Sequence, residues 1–200
     1  MRRILFLIIA SLALALCLSG CADETEFVTA ETDGGVYIKD YRGGGKSVTV
    51  PHEIDGKAVV GVGDFAFANT PELREVILPD SVTEIGRYAF SNCARLESVS
   101  MPKSVRLSEG TFYGCVTLTS ADLSGASEIP DLCFYNCSSL SDVMLGEGLE
   151  RIGERAFFGC SSLGKIELPR SLSTLGKKAF ADCTALTDLV FGGSLREIGE

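Results

Sequence analysis

A chain of 200 residues, 46% of them hydrophobic, is long enough to bury one continuous core, so neither disulfides nor a metal is needed as a staple. Its formal net charge of -9, from 27 acidic and 18 basic residues, argues against nucleic acid as a partner. Loss of an N-terminal segment carrying Arg2 and Arg3 would leave the remainder more acidic still.

Residues 1–20 read as an export signal. Arg2 and Arg3 precede an apolar run from Ile4 to Leu18 that only Ser11 interrupts. As helix those residues would rise about 22 Å, short of the roughly 30 Å hydrocarbon core, which disfavours a retained span. Leu18-Ser19-Gly20-Cys21 resembles a bacterial lipobox. That resemblance implies a diacylglycerol on the Cys21 sulfur, with Cys21 as the new N-terminus and a second acyl chain making membrane attachment stable. Residues 21–32 carry Asp23, Glu24, Glu26 and Glu31 and are expected to form an acidic tether of at most about 40 Å.

Residues 33–63 read as an N-terminal capping segment. Here Gly45-Lys46-Ser47 and Gly61-Val62-Gly63-Asp64-Phe65-Ala66 match fragments of phosphate-binding and dinucleotide-binding motifs without the surrounding pattern, so both are expected to be turns. His52 is the only histidine, which leaves a Cys-His dyad or a multi-histidine metal site without partners.

From residue 64 to 200 the chain is periodic. Phe67, Phe90, Phe112, Phe134, Phe157 and Phe180 recur every 22 or 23 positions, the signature of a repeat array of about six units. One unit reads Ile85-Gly86-Arg87-Tyr88-Ala89-Phe90-Ser91-Asn92-Cys93, then Leu96, Val99 and Met101-Pro102. The fifth unit repeats it as Ile152-Gly153, Ala156-Phe157, Gly159-Cys160, Leu163, Ile166 and Leu168-Pro169. Leu-x-x-Val-x-Met predicts a short strand whose alternate residues point inward, and stacking at about 4.8 Å predicts a parallel ladder. A second extended stretch, such as Val82 to Ile85, precedes a bend at Gly86, Gly153 or Gly176. The Ala-Phe-x-x-Cys segment is expected to make a short helical or 3-10 turn. The expected fold is therefore an α/β repeat solenoid with 22–23-residue turns and short parallel strands.

The iterated Ile-Gly-x-x-Ala-Phe-x-x-Cys, with the lead-in Val48-Thr49-Val50-Pro51 and Ile54-Asp55-Gly56-Lys57-Ala58-Val59, resembles the BspA-like leucine-rich-repeat family of bacterial surface proteins. The resemblance runs from about Val36 to the C-terminus and implies surface display, with adhesion or host interaction as the role. Departures are local: Thr70 replaces the first repeat cysteine, Gly110 and Thr111 replace Gly-x-x-Ala in the third unit, and Pro130 replaces glycine in the fourth.

The Phe column is expected to be core, each buried ring contributing about 1.5 to 3 kcal/mol. Cys93, Cys115, Cys137, Cys160 and Cys183 share one place in the repeat and are read as buried free thiols in that core. Disulfides between neighbouring turns are the alternative, since equivalent positions lie about 5 Å apart. Cys133 and Cys137 form C-x-x-x-C, but with no matching histidine or cysteine elsewhere neither a metal nor a cofactor is expected.

Function is expected on the concave strand face. Its outward columns carry Glu75, Asp142, Lys165 and Asp188 on one side and Ile77, Asp122, Met144, Glu167 and Val190 on the other. A mainly acidic face with sparse apolar anchors suits an extracellular or host protein and offers no small-molecule substrate site. No arrangement of residues reads as catalytic. The alternative role is a structural spacer presenting another domain. Ile198-Gly199-Glu200 begins a further repeat, so the array is expected to continue or to self-associate there.

Overall fold

The computed structural model describes residues 26–199, so the export signal and Cys21 lie outside the described residues. The chain opens with a hairpin, β1 (Phe27–Thr32) and β2 (Gly35–Tyr41), joined by the two-residue turn Asp33-Gly34. Next come β3 (Ser47–Thr49), β4 (Glu53–Ile54) and β5 (Lys57–Val62). The turn between β4 and β5 is Asp55-Gly56, with φ of 51° and 73°, the double positive φ of a tight hairpin turn.

Two short strands per coil then alternate: β6 (Glu75–Ile77), β7 (Glu84–Ile85), β8 (Ser98–Ser100), β9 (Arg106–Leu107), β10 (Ser120–Leu123), β11 (Glu128–Ile129), β12 (Asp142–Leu145), β13 (Arg151–Ile152), β14 (Lys165–Glu167), β15 (Thr174–Leu175), β16 (Asp188–Val190) and β17 (Glu197–Ile198). From β6 onward the even-numbered strands form a front wall and the odd-numbered ones a back wall, every pairing within them parallel. We number the coils 1 to 6 by their phenylalanines, from Phe67 to Phe180.

The expected repeat solenoid is what forms, and its inner columns explain why. Phe67, Phe90, Phe112, Phe134 and Phe157 are no more than 1% exposed and stack with ring centroids 5.0 to 5.5 Å apart. No single coil can hide a ring, but each coil covers its neighbour's. Tyr41, which stacks on Phe67 at 5.0 Å, and Phe27 close the N-terminal end of the column. At the other end Phe180 stacks on Phe157 at 5.2 Å but is only half-buried, because no complete coil follows it among the described residues.

Two expectations need correction. Residues 27–32 do not belong to a tether: they are β1, the edge strand beside β2, and Phe27 is 7% exposed. Its ring has the aromatic column to pack against, which outweighs the polar residues around it. Nor does the Ala-Phe segment make a helix, since every regular element among the described residues is a strand. Its amides alternate instead. Ala89, Ser91 and Cys93 donate within the coil to Gly86, Tyr88 and Phe90, while Tyr88, Phe90 and Asn92 donate to Glu109, Thr111 and Tyr113 of the next coil. A helix would keep all six bonds local. The alternation is possible because Tyr88 and Asn92, two residues either side of Phe90, take φ of 53° and 57°, the positive angle found at the third residue of a type II turn.

The glycine after the back strand in coils 2, 5 and 6 is required by close approach rather than by a left-handed bend. A Cβ on Gly86 would sit 2.6 Å from the Asp64 amide nitrogen of the preceding coil. Gly86 N–H accordingly reaches the Val62 carbonyl at 2.7 Å.

Candidate functional site

The front wall carries the outward columns. Ladder register places Ser47, Glu75 and Ser98 side by side, then Ser120 beside Asp142 and Lys165 beside Asp188. The second column aligns Thr49, Ile77 and Ser100, then Asp122 with Met144 and Glu167 with Val190. Between them Val76, Ala121 and Ile166 point into the core, so strand alternation forces their neighbours outward.

Of the nine candidate residues, eight are exposed: Glu75, Ile77, Asp142, Met144, Lys165, Glu167, Asp188 and Val190. Asp122 is half-buried, because its carboxylate turns back to accept the Ser124 amide at 3.0 Å. The Ser124 hydrogen bonds hold its pKa below the usual carboxylate range. Met144 at 55% and Val190 at 51% exposure leave large apolar groups open to water on an otherwise polar face.

The only cation in these columns is neutralised locally. Lys165 Nζ lies 2.6 Å from Glu167 Oε1, which raises the lysine pKa and lowers that of the glutamate. Glu75 accepts from Ser47 Oγ at 2.9 Å, and Asp188 from Thr187 Oγ1 at 3.3 Å. Among the described residues Asp142 has no such partner, and its side chain is exposed. The front wall is also interrupted. It pairs as β3-β6-β8, β10-β12 and β14-β16, and a groove of about 420 Å³ lies between β12 and β14, walled by Asp142 and Met144 on one side and Lys165 and Glu167 on the other.

Cysteines lie away from this face. The six within the described residues are free and buried, so no disulfide links neighbouring coils there. Cys93, Cys115, Cys137, Cys160 and Cys183 each donate Sγ–H to the phenylalanine carbonyl of the preceding coil at 3.0 to 3.2 Å. Thr70, in the equivalent place of coil 1, uses its hydroxyl on Phe67 O at 2.8 Å. Burial pushes the thiols of Cys93 and Cys183 up to about 11 and those of Cys115 and Cys137 up as well. A thiol held protonated is a poor nucleophile and a poor metal ligand. No cluster of histidine, cysteine or acidic residues suited to a metal occurs among the described residues. His52 is exposed, 3.8 Å from Glu53 on the capping hairpin.

A second aromatic column escaped the sequence reading. Phe65, Tyr88, Tyr113, Tyr135 and Phe158 form a continuous stripe of rings 4.8 to 6.0 Å apart on the turn edge. It passes from the position two before the core phenylalanine in coils 1 and 2 to the position one after it in coils 3 to 5. The aromatic run at 113, 135 and 158 was the available signal.

Stacked coils, two parallel walls and an open strand face define a leucine-rich-repeat solenoid. Six copies of the BspA type leucine rich repeat region match residues 47–128 and 127–200, and the chain belongs to that family. Among solved structures it is similar to the T. pallidum leucine rich repeat protein TpLRR, with a TM-score of 0.83 and 32% identity over 89% of this chain and 85% of that one. A leucine-rich repeat protein from Bacteroides ovatus gives 0.68 and 33%, over 80% of this chain and 46% of that one. A leucine rich cell surface protein from Faecalibacterium prausnitzii gives 0.67 and 26%, over 86% and 54%. The chain thus spans about half the length of the last two. No curated protein matches it.

Proposed function

We propose that this chain is a surface-displayed binding module whose front wall takes a protein partner presenting basic and apolar side chains. The observation that carries the reading is the pairing of exposed carboxylates with exposed Ile77, Met144 and Val190 on the outward side of the front wall. With Lys165 already neutralised by Glu167, the face attracts cations, and its apolar points add contact area that a merely solvated face would not carry. The family and the cell-surface neighbour from F. prausnitzii support display outside the cell. Attachment through a lipid on Cys21 follows from the lipobox, and adhesion is the role in which such display acts.

The test begins with the full chain displayed on cells and a partner captured from extracellular proteins and mapped by crosslinking. Crosslinks on β10, β12 and β16, together with at least tenfold weaker binding of the double variant Asp142→Lys, Asp188→Lys at unchanged melting temperature, support the assignment; Asp122 is left in place because its carboxylate holds the Ser124 amide. Equal binding by the variant rejects this face. Loss of acyl labelling and of membrane association in Cys21→Ser tests the anchor separately.

A further inference from the structure

Four departures from the repeat meet between coils 3 and 4. Ser108 and Pro130 stand where coils 2, 5 and 6 carry Gly86, Gly153 and Gly176, and Thr111 and Cys133 stand where coils 1, 2, 5 and 6 carry alanine. In the regular coils the glycine amide ties the back wall together: Gly86 N–H donates to Val62 O, Gly153 N–H to Ile129 O and Gly176 N–H to Ile152 O, at 2.7 to 2.8 Å. Pro130 has no N–H to offer the Leu107 carbonyl. One coil earlier, buried Thr111 Oγ1 engages both backbone groups of Ser108, accepting its amide at 3.1 Å and donating to its carbonyl at 2.7 Å. That capture takes the Ser108 amide away from coil 2, where β7 and β9 stay paired, so the loss at the next junction rests on Pro130.

The consequence is a seam. The back wall runs β1-β2-β5-β7-β9, stops, and resumes as β11-β13-β15-β17. A cavity of about 290 Å³ opens at the gap, lined among others by Arg106, Ser108, Ser127, Glu128 and Pro130. The front wall does the reverse. At this junction β10 and β12 pair over four residues, whereas the front wall is unpaired at the junctions on either side.

We infer that the junction between coils 3 and 4 is a hinge, with the β10–β12 ladder as its axis and the back wall opening and closing at Pro130. Strand pairs without ladder bonds are the first to separate, whereas a paired ladder holds its spacing. Rotation about the axis changes the angle between β6-β8 and β14-β16, and so the curvature that the front wall presents. The hinge follows from backbone pairing alone and stands whether or not that wall binds a partner.

Hydrogen exchange on the full chain, followed by mass spectrometry, reads the seam directly. Back-wall amides donate to the coil before them, so those of residues 127–129 are expected to exchange at least tenfold faster than those of 82–86 and 149–153, and Pro130→Gly is expected to bring them to the same protection. Spin labels at Asp80 and Lys177, both exposed and on opposite sides of the junction, should give a distance distribution that narrows in Pro130→Gly. Pro130→Ala also restores the N–H and serves if the glycine variant fails to fold. Wild-type seam amides as protected as the others, or an unchanged distribution when the N–H is restored, overturns the hinge.

Discussion

The Cys137 thiol donates to the Phe112 carbonyl of the coil before it at 3.1 Å, and the same oxygen accepts the Cys115 amide, also at 3.1 Å. One carbonyl thus closes the turn of its own coil with one lone pair and ties down the next coil with the other. The bond needs a hydrogen on sulfur, so the column works as thiols and would lose its donors as disulfides. Cys137→Ala should destabilise the fold by about 1–2 kcal/mol, from the loss of the second hydrogen bond to that carbonyl and a small cavity. Cys137→Ser, which keeps a donor as Thr70 does, should lose less than the alanine variant. Urea unfolding of both variants decides; equal losses would show that only packing matters.

Alkaline pH should unfold the array through the same residues. Burial raises Cys93 and Cys183 from the 9.0 of an ordinary thiol to about 11. A raised folded-state value means that the unfolded chain releases protons first as pH rises. The contribution is therefore fully present below pH 9 and is lost progressively between about pH 9 and 11. Melting temperature should fall across that window, and iodoacetamide at pH 8 should leave these thiols unmodified until denaturant is added. Rapid labelling in the native state would contradict the burial that drives the shift.

Backbone strain should be relievable at the turn edge. Leu132, Arg155 and Lys178 take φ of 59°, 51° and 53°, in the position that glycine fills in coil 3 as Gly110. A side chain there costs about 1–2 kcal/mol, against roughly 0.5–1 kcal/mol for the extra unfolded-state freedom of glycine. Lys178 is exposed, so little packing is lost with it. Lys178→Gly should stabilise the protein by up to about 1 kcal/mol in urea titration, whereas Lys178→Ala should not.

Much of the architecture was legible because a solenoid repeats its environment. A ring at Phe67 and one at Phe134 meet the same neighbours, so the same residue type returns at the same spacing, and period, inward columns and outward columns all survive as letters. Glu75, Met144 and Val190 could be placed on one face for that reason. The turn at Ala89-Phe90 was not legible, because its form depends on amides of Tyr88 and Asn92 finding carbonyls 21 residues away, at Glu109 and Tyr113. No local window holds that partner. The outer aromatic stripe hid for a related reason: Tyr88 and Tyr113 occupy different places in their repeats and become neighbours only when the coils are stacked.

By itself the sequence determined that this chain coils, what each coil buries and which side chains face outward, since these follow from periodicity and alternation, which are properties of order along the chain. Tertiary structure alone decided that Phe27 joins the core, that the thiols act as hydrogen-bond donors and that Pro130 parts the back wall. Each of those depends on which backbone groups of one coil lie opposite those of the next, and that register exists only once the coils have come together.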